Sequence, residues 1–134
     1  MDGPILVVDD EPDMCWAMEC ILRSWGYAVL TVPSGEEACA LLCDRDFFFV
    51  FMDAKLPDMD GLDVVRYAQK MKPGKVRAVL VSGYHYHDDP IIRQAVDEGV
   101  ICGFLAKPFT HNDLLKMLPT GADAGRAWTA AGFQ

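Results

Sequence analysis

Positive charge is scarce in this chain: 12 Lys and Arg stand against 20 Asp and Glu, a formal net charge of −8. Sequence-independent affinity for DNA, RNA or an anionic membrane needs clustered cations to displace counterions, so the balance argues against those partners. Long apolar runs are also lacking. None approaches the roughly 20 residues of a membrane span, and the first residues lack the basic-then-apolar pattern of a secretory signal. The expectation is therefore a cytoplasmic protein with no membrane partner. No Gly-x-Gly-x-x-Gly or Walker-type phosphate loop occurs, which removes support for nucleotide binding. Nor is there an internal repeat. The five cysteines (Cys15, Cys20, Cys39, Cys43, Cys102) form no C-x-x-C or His/Cys knuckle. Zinc is poorly supported, and buried, reduced, inert thiols are the expectation.

What is present is alternation. Ile5-Leu6-Val7-Val8 is a short continuous apolar run that stops at Asp9-Asp10-Glu11, the pattern of a strand buried on both faces. Pro12 and Asp13 open a helix with Met14, Met18, Ile21 and Trp25 near helical period, ending at Gly26. Tyr27 to Val32 is strand-like. Ser34 with Glu37 forms a capping-box pattern, and Ala38, Leu41 and Leu42 make the inward stripe of a second helix. The strongest apolar run, Phe47 to Met52, ends at Asp53. After a Pro57/Asp60-Gly61 loop, Val64, Val65, Ala68 and Met71 share one side of a third helix, broken by Lys72-Pro73-Gly74. Ala78 to Val81 is a fourth strand ending at Ser82-Gly83. Pro90 suits the first turn of a fourth helix with Ile92, Ala95 and Val96 inward, closed by Gly99. Val100 to Ala106 contains a fifth strand, and Thr110 can cap a last helix through Leu118.

Five strands alternating with five helices predict an α/β fold: a doubly wound, five-stranded parallel sheet with helices on both faces. Residues 1–118 are expected to form this one domain. From Pro119 the composition turns small and aperiodic, so 119–134 reads as a tail, linker stub or remnant.

Ligands of such sheets bind beyond the carboxyl ends of the strands. The residues there are Asp9, Asp10 and Glu11 after strand one, Asp53 after strand three, Ser82 after strand four and Lys107-Pro108 after strand five. Crowded carboxylates raise one another's pKa, and a divalent cation relieves the repulsion. Hard oxygen donors favour Mg²⁺, with Mn²⁺ as a substitute, over zinc or copper. An acidic pair after a strand or a lone Lys-Pro is by itself usually a cap or a turn. Four such features at matching strand ends are not.

In this order and spacing, Ile5–Glu11, Asp53-Ala54-Lys55-Leu56-Pro57-Asp58-Met59-Asp60-Gly61, Val81-Ser82-Gly83 and Lys107-Pro108-Phe109 resemble the receiver domain of bacterial two-component response regulators (chemotaxis-Y-like fold). The resemblance spans about residues 3–118. It implies that Asp53 is the nucleophile that accepts a phosphoryl group from the phosphohistidine of a sensor histidine kinase or a phosphotransfer protein. It implies Mg²⁺ held directly by Asp10, Asp53 and the backbone carbonyl of Lys55, with Asp9 acting through water. Lys107 would pair with phosphoryl oxygens across a cis Lys107–Pro108 bond, and Ser82 would donate its hydroxyl to the phosphoryl group. Such a protein catalyses only its own phosphorylation and dephosphorylation. Phe104 stands where the family often has a switch Tyr, so it lacks a hydroxyl for an outer hydrogen bond. Lys55 and Tyr84 occupy positions that tune phosphoryl lifetime. The implied output surface comprises the fourth helix, fifth strand and fifth helix, open to a second receiver as a homodimer.

Other readings have less behind them. The strand-end carboxylates would repel a flavin phosphate, and a haloacid-dehalogenase-like phosphatase needs Asp where Lys55 stands. A receiver-fold interaction module working without phosphorylation has the complete acidic site against it. A fragment of a larger transcription regulator or hybrid kinase stays open. His85-Tyr86-His87 is set aside as a metal pair, and Trp16, Trp25 and Trp128 carry no motif.

Overall fold

The computed structural model describes residues 3–83 and 89–119. Ten elements alternate along the chain: β1 (Ile5–Val8), α1 (Pro12–Ser24), β2 (Val29–Val32), α2 (Gly35–Asp44), β3 (Phe49–Asp53), α3 (Gly61–Met71), β4 (Ala78–Ser82), α4 (Pro90–Asp97), β5 (Gly103–Ala106) and α5 (His111–Lys116). The strands form one parallel sheet in the order β2-β1-β3-β4-β5.

Continuous apolar strands are required because the sheet is covered on both sides. Their alternation divides the core in two. Leu6, Val8, Val50, Met52, Ala78 and Leu80 face α2, α3 and α4, which contribute Ala38, Leu42, Val64, Val65, Ala68, Ile92 and Ala95. Ile5, Val7, Phe49, Phe51, Val79 and Val81 face α1 and α5, meeting Met18, Leu22 and Leu114. Phe49 and Phe51 are fully buried and meet edge to face at 5.1 Å. Burying each ring stabilises by about 2–3 kcal/mol.

The helix starts follow local chemistry. Thr110 accepts the N–H of Asp113 while Asp113 accepts that of Thr110, a reciprocal capping box. Ser34 accepts the N–H of Glu37, but Glu37 receives the Ser34 hydroxyl rather than a backbone N–H, so only half of the expected box forms. Asp89, preceding Pro90, accepts from Ile91 and Ile92.

Four further expectations need correction. Trp25 is 63% exposed, because the N–H of Trp25 bonds to Leu22 O and this tighter last turn carries the ring off the buried stripe. Met71 is exposed too, at the very end of α3, where Lys72 N–H already closes the helix on Ala68 O. None of the five cysteines is fully buried: all are free thiols, Cys20 and Cys43 exposed and the others half-buried. Strands two and three begin later than the apolar runs. Tyr27 and Phe48 instead stack at 5.7 Å at the sheet's entrance, with the Arg77 guanidinium 5.7 Å from the Phe48 ring.

Among the described residues no helix is long and apolar enough to cross a membrane. Tyr84, His85, Tyr86, His87 and Trp128 lie outside the described residues, as does the expected tail beyond Pro119.

Candidate functional site

The strand order reverses between β1 and β3: the chain leaves β1 toward β2 on one side and reaches β3 on the other. Crossovers diverge there and leave a crevice at the carboxyl edge. β1 delivers Asp9 and Asp10 to it, and β3 delivers Asp53 as its last residue. One carboxylate oxygen from each of the three lies within 4.8 Å of the others. Asp9 and Asp53 are buried, at 2% and 7% exposure, while Asp10 is open to solvent.

Asp9 is the fixed member. Its Oδ1 accepts the Glu11 N–H at 2.9 Å, and its Oδ2 accepts from Lys107 Nζ at 3.0 Å. Cys15 Sγ donates to the Asp9 carbonyl at 3.2 Å. Lys107 follows β5, its N–H donating to Ser82 O at 2.7 Å, and the Lys107–Pro108 bond is cis as expected. Its ammonium also reaches Glu11 Oε1 at 3.4 Å. Burial alone would lower the Lys107 pKa, but the Asp9 hydrogen bond and the charges of Asp53, Asp9 and Glu11 outweigh it and hold the ammonium above its ordinary value.

Asp53 is held differently. Its Oδ1 accepts the Lys55 N–H at 3.2 Å. Burial, then the Asp9 charge, push its carboxyl up to about 6, against the opposing pull of the Lys55 N–H and the Lys107 ammonium. Without a cation, the folded protein therefore binds a proton more tightly than the unfolded chain between pH about 4 and about 6. Stability contributed by the protonated form is lost as pH rises through that window. Asp53→Asn should abolish this loss. In chelator at pH 7 the variant is expected to unfold about 1 kcal/mol later than wild type, a value discounted for the solvent at the mouth of the site. Below pH about 4 the two should coincide. Urea denaturation at both pH values checks this, and an Asn variant less stable at pH 7 would contradict it.

Ser82 is buried at the end of β4, at 4% exposure. Register pairs Leu80 with Phe104 and Ser82 with Ala106, so Ser82 and Phe104 are diagonal neighbours on the face covered by α2, α3 and α4. Phe104 is half-buried there. Lys55 points its ammonium away to Asp60 at 3.3 Å, both side chains exposed.

The structure thus brings together Asp9, Asp10, Asp53, Glu11 and Lys107, with Ser82 at the neighbouring end of β4 and Phe104 one register step below it. Missed were Glu11 as a second partner of Lys107, Cys15 beneath Asp9, and Asp60 beside Lys55. Glu11 carried a signal in its place after the acidic pair. The other two meet their partners through the turns that follow β1 and β3, six and five residues away. As a donor set the three carboxylates suit a hard divalent cation, whose charge would offset their mutual repulsion.

The sequence pattern of the response regulator receiver domain matches residues 5–119. This chain belongs to that family. Transcriptional regulatory protein ZraR of Escherichia coli O157:H7 is 28% identical over 110 residues, covering 82% of this chain and 24% of the relative. The chain therefore spans about a quarter of the length of the curated relatives it matches. A CheY-like receiver domain from Methanospirillum hungatei JF-1 superposes with a TM-score of 0.75 at 28% identity, over 86% of this chain and 89% of that one. Response regulator TrrA of Thermotoga maritima, solved in complex with Mg²⁺ and beryllofluoride, gives a TM-score of 0.72 at 28% identity over 84% and 93%. The receiver fold, five parallel strands with helices on both faces, is thereby established.

Proposed function

We propose that this receiver domain accepts a phosphoryl group on Asp53 from the phosphohistidine of a sensor histidine kinase or phosphotransfer protein, in a Mg²⁺-dependent reaction that shifts its conformation. The observation that carries the reading is the trio Asp9, Asp10 and Asp53 with donor oxygens within 4.8 Å and Lys107 tied to their edge.

Asp10, Asp53 and the Lys55 carbonyl would hold the cation directly and Asp9 through water, with Mn²⁺ as a substitute. The ion would supply positive charge to offset that of the carboxylates and of the incoming phosphoryl group. An Asp53 carboxylate oxygen attacks phosphorus, the P–N bond to the donor imidazole breaks, and that nitrogen regains a proton. The product is an acyl phosphate on Asp53. Lys107 exchanges part of its contact with Asp9 and Glu11 for the new oxygens, and the Ser82 hydroxyl donates to them. Hydrolysis of the acyl phosphate resets the domain, so the only substrate side chain is its own. The residue pair Lys55 and Tyr84 tunes how long the phosphoryl group lasts.

Ser82 moving toward the phosphoryl group vacates space on the face it shares with Phe104, and the ring rotates into it. This is a shift between two existing conformations. It changes the apolar surface of α4, β5 and α5, where a second receiver would dock. Residues 1–118 are the switching unit in this reading, working in the cytoplasm, and 119–134 a tail or linker. Because the relatives are transcriptional regulators, DNA binding would belong to another domain.

Beryllofluoride with Mg²⁺ mimics the phosphorylated state. Amide shifts measured by NMR should spread from Asp53 through Ser82 to Phe104 and α4. Shifts confined to the acidic trio, together with unchanged partner affinity in Ser82→Ala, would overturn the coupling.

A further inference from the structure

The loop from β3 to α3 is closed on itself. Lys55 and Asp60 form an antiparallel bridge, Leu56 N–H donates to Met59 O at 3.1 Å, and Gly61 N–H donates to Ala54 O at 2.9 Å. Its tip reaches across to α2. There Asp58 Oδ1 accepts the Gly35 N–H and Asp58 Oδ2 accepts the Glu36 N–H, each at 2.9 Å. Beside them Met59 lies so close to Gly35 that a Cβ at that position would collide with its Cγ and Sδ. A polar contact through Asp58 and an apolar one through Met59 therefore fasten the tip to the same turn.

Ser34 already caps α2 by taking the Glu37 N–H, and Glu36 and Glu37 already offer negative charge to this helix end. Asp58, more than twenty residues away in sequence, takes the two first-turn amides that Ser34 leaves, so the cap also ties a distant loop to this helix end. Its two oxygens grip two separate amides, which fixes the orientation of the loop tip as well as its distance. Those amides also hold the Asp58 carboxyl below the ordinary range.

We propose that Asp58 is a positioning residue for the phosphoryl site, anchoring the loop tip on α2 so that the closed loop holds the Lys55 backbone in place. That backbone donates to Asp53 through its N–H, and its carbonyl is the cation ligand of the reading given above, on which this proposal rests. A cap that served only helix stability would leave Lys55 unaffected when lost.

The test compares wild type, Asp58→Ala and Asp58→Asn by amide hydrogen exchange in chelator and by calorimetric Mg²⁺ titration. In Asp58→Ala, exchange at the Lys55 amide should rise about tenfold while amides of β1 and β4 stay unchanged. Mg²⁺ affinity should fall severalfold. Asp58→Asn keeps one carbonyl acceptor and should recover part of both. Faster exchange confined to α2, with Lys55 and Mg²⁺ affinity as in wild type, overturns the proposal. Should wild type itself take up no Mg²⁺, the metal reading fails separately and the Lys55 amide decides: acceleration supports the anchor, and no change refutes it.

Discussion

Asp53→Ala is expected to gain no phosphoryl group from acetyl phosphate or phosphoramidate in Mg²⁺, at a rate below about one hundredth of wild type by intact mass. The three carboxylates are not equivalent nucleophiles. Asp9 has both oxygens engaged, by the Glu11 N–H and the Lys107 ammonium. Asp10 is exposed, away from the desolvation that sharpens a nucleophile. Asp53 is buried, and among the described residues only its Oδ1 carries a hydrogen bond. With its carboxyl at about 6 it is still mostly ionised at pH 7, yet more basic than an ordinary aspartate. Uptake by the Ala variant at the wild-type rate would mean that another carboxylate does the work.

Removing divalent cations should have an effect of the same size. Two unit charges 4.8 Å apart repel by about 3 kcal/mol at the effective dielectric of such a site, and a dianionic donor adds more. Excess EDTA should therefore stop phosphorylation, and Mg²⁺ or Mn²⁺ should restore it. Asp10→Asn should weaken cation binding more than Asp9→Asn. Asp10 is exposed, so its loss disturbs no packing and the effect is one of metal affinity. Asp9→Asn chiefly loosens Lys107. Full activity in EDTA would contradict the account, as would an Asp9→Asn defect in metal affinity larger than that of Asp10→Asn.

The sheet and the strand-end residues were legible because β1, β3 and β4 are continuous apolar runs halted by a polar residue. Val8 to Asp9, Met52 to Asp53 and Val81 to Ser82 mark the sheet's carboxyl edge without knowledge of the fold. The strands' other ends were blurred, since Tyr27 and Phe48 are apolar for the sake of their mutual stack rather than for pairing. Helix stripes failed only at their last residues, Trp25 and Met71, where the chain is already leaving the helix. Contacts that join distant segments have partners that no local pattern names. The grip of Glu11 on Lys107 spans 96 residues, and that of Asp58 on α2 depends on how a loop folds over a neighbouring helix. The cysteines were misjudged because hydrophobic character does not by itself decide which side of a helix a small thiol occupies.

The most direct test of the central claim is chemical location of the phosphoryl group. Protein treated with acetyl phosphate and Mg²⁺ is reduced with borohydride, which converts an acyl phosphate of aspartate to homoserine, and its peptides are sequenced by mass spectrometry. Homoserine at position 53 alone, absent when EDTA replaces Mg²⁺, is the predicted result. Homoserine at position 9 or 10, or none anywhere in protein that has gained phosphoryl mass, would contradict it.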